Sequence, residues 1–120
     1  MAFRFQTWQV YKDARSLRKE LNILLRTYPV EEKYNLVDQT KRALLSVMLQ
    51  VAEGSERKTE KDKNLFINRS LTSLFEVVAC LDASLDDGYI SQKQYSDLTD
   101  KAEGVAKQLR GFEKYIRKSY

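Results

Sequence analysis

The sequence contains no histidine. That absence removes Ser-His and Cys-His nucleophile pairs, imidazole acid–base catalysis and every histidine-ligated zinc site. Chemistry would be left to carboxylates, lysine or tyrosine, so a non-enzyme is expected. A lone cysteine, Cys80, excludes an intrachain disulfide and suits a reducing cytoplasm. One proline and four glycines leave few turns, so long uninterrupted elements are expected. No apolar run approaches the roughly 18 residues of a membrane-spanning helix. The opening "MAFRFQTWQVYKDAR" carries charge too early and too often for a signal peptide. A phosphate-cradling Gly-rich loop, an RNP-type aromatic motif, a zinc knuckle and a helix-turn-helix signature are all missing.

What remains is a chain of 120 residues, enough for one domain (residues 1–120) with one core. Charged residues at 32% beside hydrophobic residues at 42% give the balance of a soluble globule rather than a disordered chain. The net charge of +4 is a mild basic bias, compatible with a nucleic-acid partner without establishing one.

Apolar residues recur at three-to-four spacing in four segments. The first is Val10, Ala14, Leu17, Leu21, Leu24, Tyr28; the second is Val37, Thr40, Leu44, Val47, Val51. The third is Ile67, Leu71, Leu74, Val78, Leu81, Leu85, and the last is Tyr95, Leu98, Ala102, Val105, Leu109, Phe112, Ile116. This pattern predicts four amphipathic helices over about residues 7–27, 35–53, 60–86 and 92–118. "TYPVEEKYN" holds the proline and separates helices 1 and 2. Gly54 is expected to end helix 2 in a left-handed conformation. Thr59 before Asp62 reads as the cap of helix 3, and Ser91 with Gln94 as a capping box opening helix 4. Short connections make neighbours antiparallel, so the expected fold is all-α, an up-down-up-down four-helix bundle.

Helix 2 is apolar almost all round, adding Ala43, Leu45, Met48, Leu49 and Ala52 to its stripe. Helix 3 has the same excess in Phe66, Phe75, Val77, Ala79 and Cys80. One bundle covers one side of each helix, so the surplus predicts self-association through helices 2 and 3. A polar line also runs along helix 2 through Gln39, Arg42, Ser46, Gln50 and Glu53, and helix 3 repeats the device with Arg69, Ser73, Glu76 and Cys80. Either these are two solvated faces, or they form a polar seam inside an assembly, where Arg42 or Arg69 would pair with Glu76 or Glu53. A ligand or catalytic site is a third reading.

Basic residues line the outer helices: Lys12, Arg15, Lys19 and Arg26 on helix 1; Lys107, Arg110, Lys114 and Arg117 on helix 4. Simple solvation explains such stripes, and so does phosphate binding, with the two stripes merging where the helices adjoin. Asp82, Asp86, Asp87 and Gly88 do not make a calcium loop. Counted from Asp82, Gly88 falls one place late and Lys93 stands where a bidentate Glu is needed. A helix C-terminal turn fits better. Carboxylate di-metal sites of bundles need Glu-x-x-His ligands, which cannot exist here, so no metal or other cofactor is expected. Cys80 reads as a buried small hydrophobe. Trp8, Phe3 and Phe5 are expected to cover the open end of the bundle.

"EEKYNLVDQTKRA", "SVMLQVAEG", "SLFE" and "DDGYIS", at their mutual spacing from about Tyr11 to Ile90, resemble the four-helix-bundle proteins encoded in intervening sequences of bacterial 23S ribosomal RNA genes. The family pattern has Trp in place of Tyr11, Pro and Asn in place of Met48 and Gln50, and Arg in place of Leu71. The resemblance implies a cytoplasmic bacterial protein assembled as a ring, a homopentamer, with no defined biochemical activity. A related group, accessory proteins of diversity-generating retroelements, is also basic and pentameric and works with a reverse transcriptase and nucleic acid. The expected function is therefore a non-enzymatic oligomeric bundle binding RNA or a nucleoprotein through helices 1 and 4. The rival is a structural or adaptor oligomer that binds a protein partner; a carboxylate hydrolase or nuclease acting through Glu53 is the weakest reading. Neither a membrane nor a small-molecule substrate is indicated.

Overall fold

A computed structural model describes residues 3–118 and turns the four stripes into four helices: α1 (Gln9–Leu25), α2 (Leu36–Ser55), α3 (Glu60–Asp86) and α4 (Gln92–Arg117). Single turns of 3-10 helix at Arg4–Thr7 and Val30–Glu32 precede α1 and α2. No strand occurs among the described residues. The helices make a four-helix bundle of 46 × 24 × 21 Å, in which α1 and α3 each pack against both α2 and α4.

The helix ends follow local chemistry. Thr59 Oγ1 accepts from the backbone N–H of Asp62 at 3.1 Å, satisfying a donor that the first turn leaves free. At α4 the Ser91 side chain accepts from Gln94 N–H at 3.1 Å and Gln94 Oε1 accepts from Ser91 N–H at 2.9 Å, a reciprocal capping box. Asp82 and Asp86 lie in the last turns of α3, and Gly88 follows with φ +78°, alone among the described residues in the left-handed region.

The expected role of Gly54 is corrected. Gly54 is not a left-handed stop: α2 continues through it to Ser55, and Gly54 is buried. A Cβ placed there would stand 2.9 Å from the Phe66 Cβ. Glycine is required because α3 crosses α2 too closely for a side chain. The same tight contact explains Ser70, wholly buried, whose hydroxyl donates to the Val47 carbonyl at 2.7 Å.

The core is aliphatic. Leu17 and Leu21 of α1, Leu44 and Val47 of α2, Leu74, Val77 and Leu81 of α3, and Val105 and Leu109 of α4 are all but inaccessible. Each such leucine contributes about 1.5–3 kcal/mol by leaving water. Cys80 is buried and unpaired, as its apolar neighbours predict. Of the N-terminal aromatics, Trp8 covers the core by stacking at 5.3 Å on Phe112 and Phe5 rests edge-on against Tyr11 at 4.9 Å. Phe3 is a correction: it is exposed.

Candidate nucleic-acid interface

The apolar stripe Val10, Ala14, Leu17, Leu21, Leu25 fixes how α1 is rotated in the bundle. With that face in the core, Lys12, Arg15, Lys19 and Arg26 must lie on the outside, and all four are exposed. They line an open groove of about 580 Å³ together with Arg18, Ser16, Asn22 and Ile23, closed on one flank by Met48 of α2. Fourteen residues separate Lys12 from Arg26, so the basic row spans about 21 Å at 1.5 Å per residue.

The groove is lined by five cations and no acid. Among the described residues, none of Lys12, Arg15, Arg18, Lys19 and Arg26 forms an ion pair, whereas Arg42, Arg57, Lys63, Lys93, Lys101, Arg110 and Arg117 all do. Charge on α1 is thus left for a partner or for solvent. Arg18 was not among the sequence candidates. It lies three residues after Arg15, and that spacing was the available signal.

On α4 the four candidates have a different setting. Arg110 contacts Glu103 at 3.4 Å and its guanidinium lies 5.9 Å from the Phe75 ring centre on α3; Arg117 pairs with Glu113 at 2.9 Å. Lys107 and Lys114 are exposed. The two stripes do not merge, contrary to the expectation from adjacency. The α1–α4 seam is occupied by Glu20 paired with Lys101 and by Asp13, which accepts from Gln108 at 2.8 Å. The α1 stripe therefore turns toward α2 and the α4 stripe toward α3, with mixed and neutral pairs between them.

The polar line on α2 and α3 meets at one point, where Ser46 and Ser73 share a hydrogen bond of 2.8 Å. Gln50 is half-buried with Oε1 withdrawn from solvent and unpartnered. Gln39, Arg42, Glu53, Arg69 and Glu76 are exposed. Within the single chain the charged members of the line pair locally: Arg42 binds Asp38 at 3.0 Å and Glu53 stands 4.0 Å from Arg57. Residues four apart on one helix meet without any help from packing. The guanidiniums of Arg57, in the α2–α3 turn, and of Arg69, on α3 itself, lie over the Phe66 ring at 4.2 and 4.9 Å from its centre. Beside the line, Leu45 (40%), Leu49 (48%), Leu65 (46%) and Phe75 (51%) retain large exposed fractions.

Among the described residues, no three or more Cys, Asp or Glu groups cluster closely enough to hold a metal ion, and no helix is long and apolar enough to cross a membrane.

Fold and surface together define a small four-helix-bundle protein with a concentrated basic groove on α1 whose cations form no ion pair among the described residues. Its family follows from comparison with known proteins. The model of the 23S rRNA-intervening sequence protein family matches residues 6–111, and the chain belongs to that family. The fold is similar to the crystal structure of a protein of unknown function from the S23 ribosomal protein family of Bacteroides thetaiotaomicron. The two superpose with a TM-score of 0.79 at 19% identity, over 88% of this chain and 98% of the other. Comparison with curated proteins gives no match.

Proposed function

We propose that this protein is a non-enzymatic, oligomeric bundle that binds RNA by contacting phosphates, with the α1 groove as the principal surface and the α4 stripe as a secondary one. The observation that carries this reading is the set of five α1 cations without an ion-pair partner. Phosphate binding releases condensed counterions, and a row of cations at three-to-four spacing is the arrangement that exploits it. On α4, Glu103 and Glu113 already neutralise half of the candidate set, so that face contributes less.

Antiparallel neighbours and self-association belong to the same reading. The pairs Asp13–Gln108 and Glu20–Lys101 advance in opposite sequence directions, which favours antiparallel α1 and α4. Exposed Leu45, Leu49, Leu65 and Phe75 favour a second buried surface on α2 and α3, and the motif resemblance favours a pentameric ring located in the cytoplasm. Repeating the α1 groove around a ring would raise avidity without new residues.

The second reading, an adaptor that grips a protein partner while its charge confers solubility, is favoured by the same four apolar side chains. Electrophoretic shift of a structured RNA across a salt series separates the two. Five phosphate contacts give a slope of log K against log salt of about −3.5 to −4.5. Absence of a shift even at low salt rejects RNA binding and leaves the adaptor.

A further inference from the structure

The N-terminal aromatic residues continue the basic row of α1. Tyr11, Arg15, Arg18, Asn22 and Arg26 follow at spacings of four, three, four and four, so they form one line along the helix. From Arg15 onward that line is the wall of the groove flanked by Met48 of α2. At its other end the Phe5 ring lies edge-on to Tyr11, 4.9 Å between centres, and the Phe3 ring stands 6.2 Å from that of Phe5. The 3-10 turn Arg4–Thr7 packs against α1 and α2, the two helices that bound the groove. The cations of α1 are thus prolonged by aromatic rings at the Lys12 end.

These rings are not all used by the fold. Trp8 stacks on Phe112 and Phe5 is half-buried, but Phe3 leaves 58% of its surface in water. Arg4, between the two phenylalanines, is exposed and forms no ion pair among the described residues. A free ring beside unneutralised cations matches a ligand that carries a flat apolar face next to an anion. A nucleotide has both, in its base and its phosphate. In a duplex each base face is covered by the next base pair, whereas an unpaired base offers its face to a side chain.

We infer that the α1 groove binds an unpaired stretch of RNA, with phosphates along the line from Arg15 to Arg26 and a base stacked on Phe3. This rests on the phosphate-binding reading above and adds the state of the strand and the residue that senses it. Phenylalanine has no hydrogen-bonding group in its side chain, so the stack accepts any base and reads no sequence.

The test uses the full chain and two labelled oligomers of equal length: an RNA strand that cannot pair with itself, and the same strand with abasic ribose at every position. Both carry the same phosphates, so their difference isolates the bases. Fluorescence anisotropy at one low salt concentration should show the base-bearing strand bound about tenfold more tightly, the effect of one stacked base. Phe3→Ala, checked for intact helicity by circular dichroism, should bring the two oligomers to equal affinity and keep the wild-type salt slope, because no charge is lost. Phe3→Tyr should restore the difference. An RNA duplex of the same length should lose less than the single strand in Phe3→Ala. Equal wild-type affinity for the two oligomers overturns the inference, as does a difference that survives Phe3→Ala or a duplex that loses as much as the single strand. If the oligomers bind equally and Arg15→Glu weakens both, the stack is refuted while phosphate binding stands. If neither binds at low salt, both fail.

Discussion

Tyr89 donates its hydroxyl to Glu32 Oε2 at 2.7 Å, joining positions 57 residues apart. Asn35 Nδ2 donates to the other carboxylate oxygen at 2.8 Å, and the Tyr89 ring lies 5.2 Å from that of Tyr28. Tyr28 donates in turn to Ser84 at 2.7 Å. The proline-bearing loop before α2 is thereby tied to the α3–α4 turn. "EEKYN" and "DDGYIS", two motifs that carry the family resemblance, supply the two halves of this clamp.

The clamp makes stability depend on pH at both extremes. The bond from Tyr89, then that from Asn35, lowers the Glu32 pKa below its ordinary 4.5. A lowered carboxylate contributes stability above the unfolded value and loses it as pH falls through the folded one. The same bond, seen from the phenol, raises Tyr89 from 10.0 to about 12. That contribution is complete below 10.0 and disappears as pH rises through about 12. Thermal melts should show a plateau from pH 5 to 9 at about the neutral value, with falls on both sides. In Tyr89→Phe the component due to this pair is lost from both falls; an unchanged profile would refute the clamp.

Glycine substitutions should have opposite signs in different helices. At Gly54 an added methyl meets the Phe66 Cβ at 2.9 Å, so Gly54→Ala is expected to destabilise by about 1–3 kcal/mol. Gly104 and Gly111 are exposed within α4 and have nothing within 4 Å of an added Cβ. Alanine at either should stabilise by about 0.5–1 kcal/mol through lower unfolded-chain entropy. Urea denaturation of the three variants measures the contrast.

Charge changes on α1 and α4 should differ in their effect on RNA binding. Arg15→Ala or Lys19→Ala removes an unpaired cation and should lower the magnitude of the salt slope by about 0.7–0.9. Arg117→Ala removes a cation already paired at 2.9 Å with Glu113 and should change it less. A larger loss from Arg117 than from Arg15 would move the interface to α4.

Self-association can be tested at the exposed leucines. Leu49→Glu combined with Phe75→Glu places charge on side chains that are 48% and 51% exposed in one chain, so the fold should survive. Sedimentation should show wild-type protein assembled at micromolar concentration and the double variant dissociated, since burying unpaired carboxylates in an interface is unfavourable. A wild-type monomer under those conditions would end the oligomer proposal.

The sequence by itself determined four helices and most of their ends. Apolar periodicity and caps such as Thr59 and Ser91 act within a few residues, so their physics is contained in short windows of chain. It also singled out the α1 cations, because the stripe of Val10, Leu17 and Leu21 dictates which residues face outward. Tertiary structure alone decided where those outward faces look. The rotation of α1 against α2, and of α4 against α3, keeps the basic stripes apart and fills the seam between them with Asp13, Glu20, Lys101 and Gln108. It likewise turned Gly54 from an expected helix stop into a contact point for Phe66, and placed Tyr89 on Glu32. Those outcomes depend on how closely two helix surfaces approach, which is set by side chains tens of residues apart and leaves no local pattern to read.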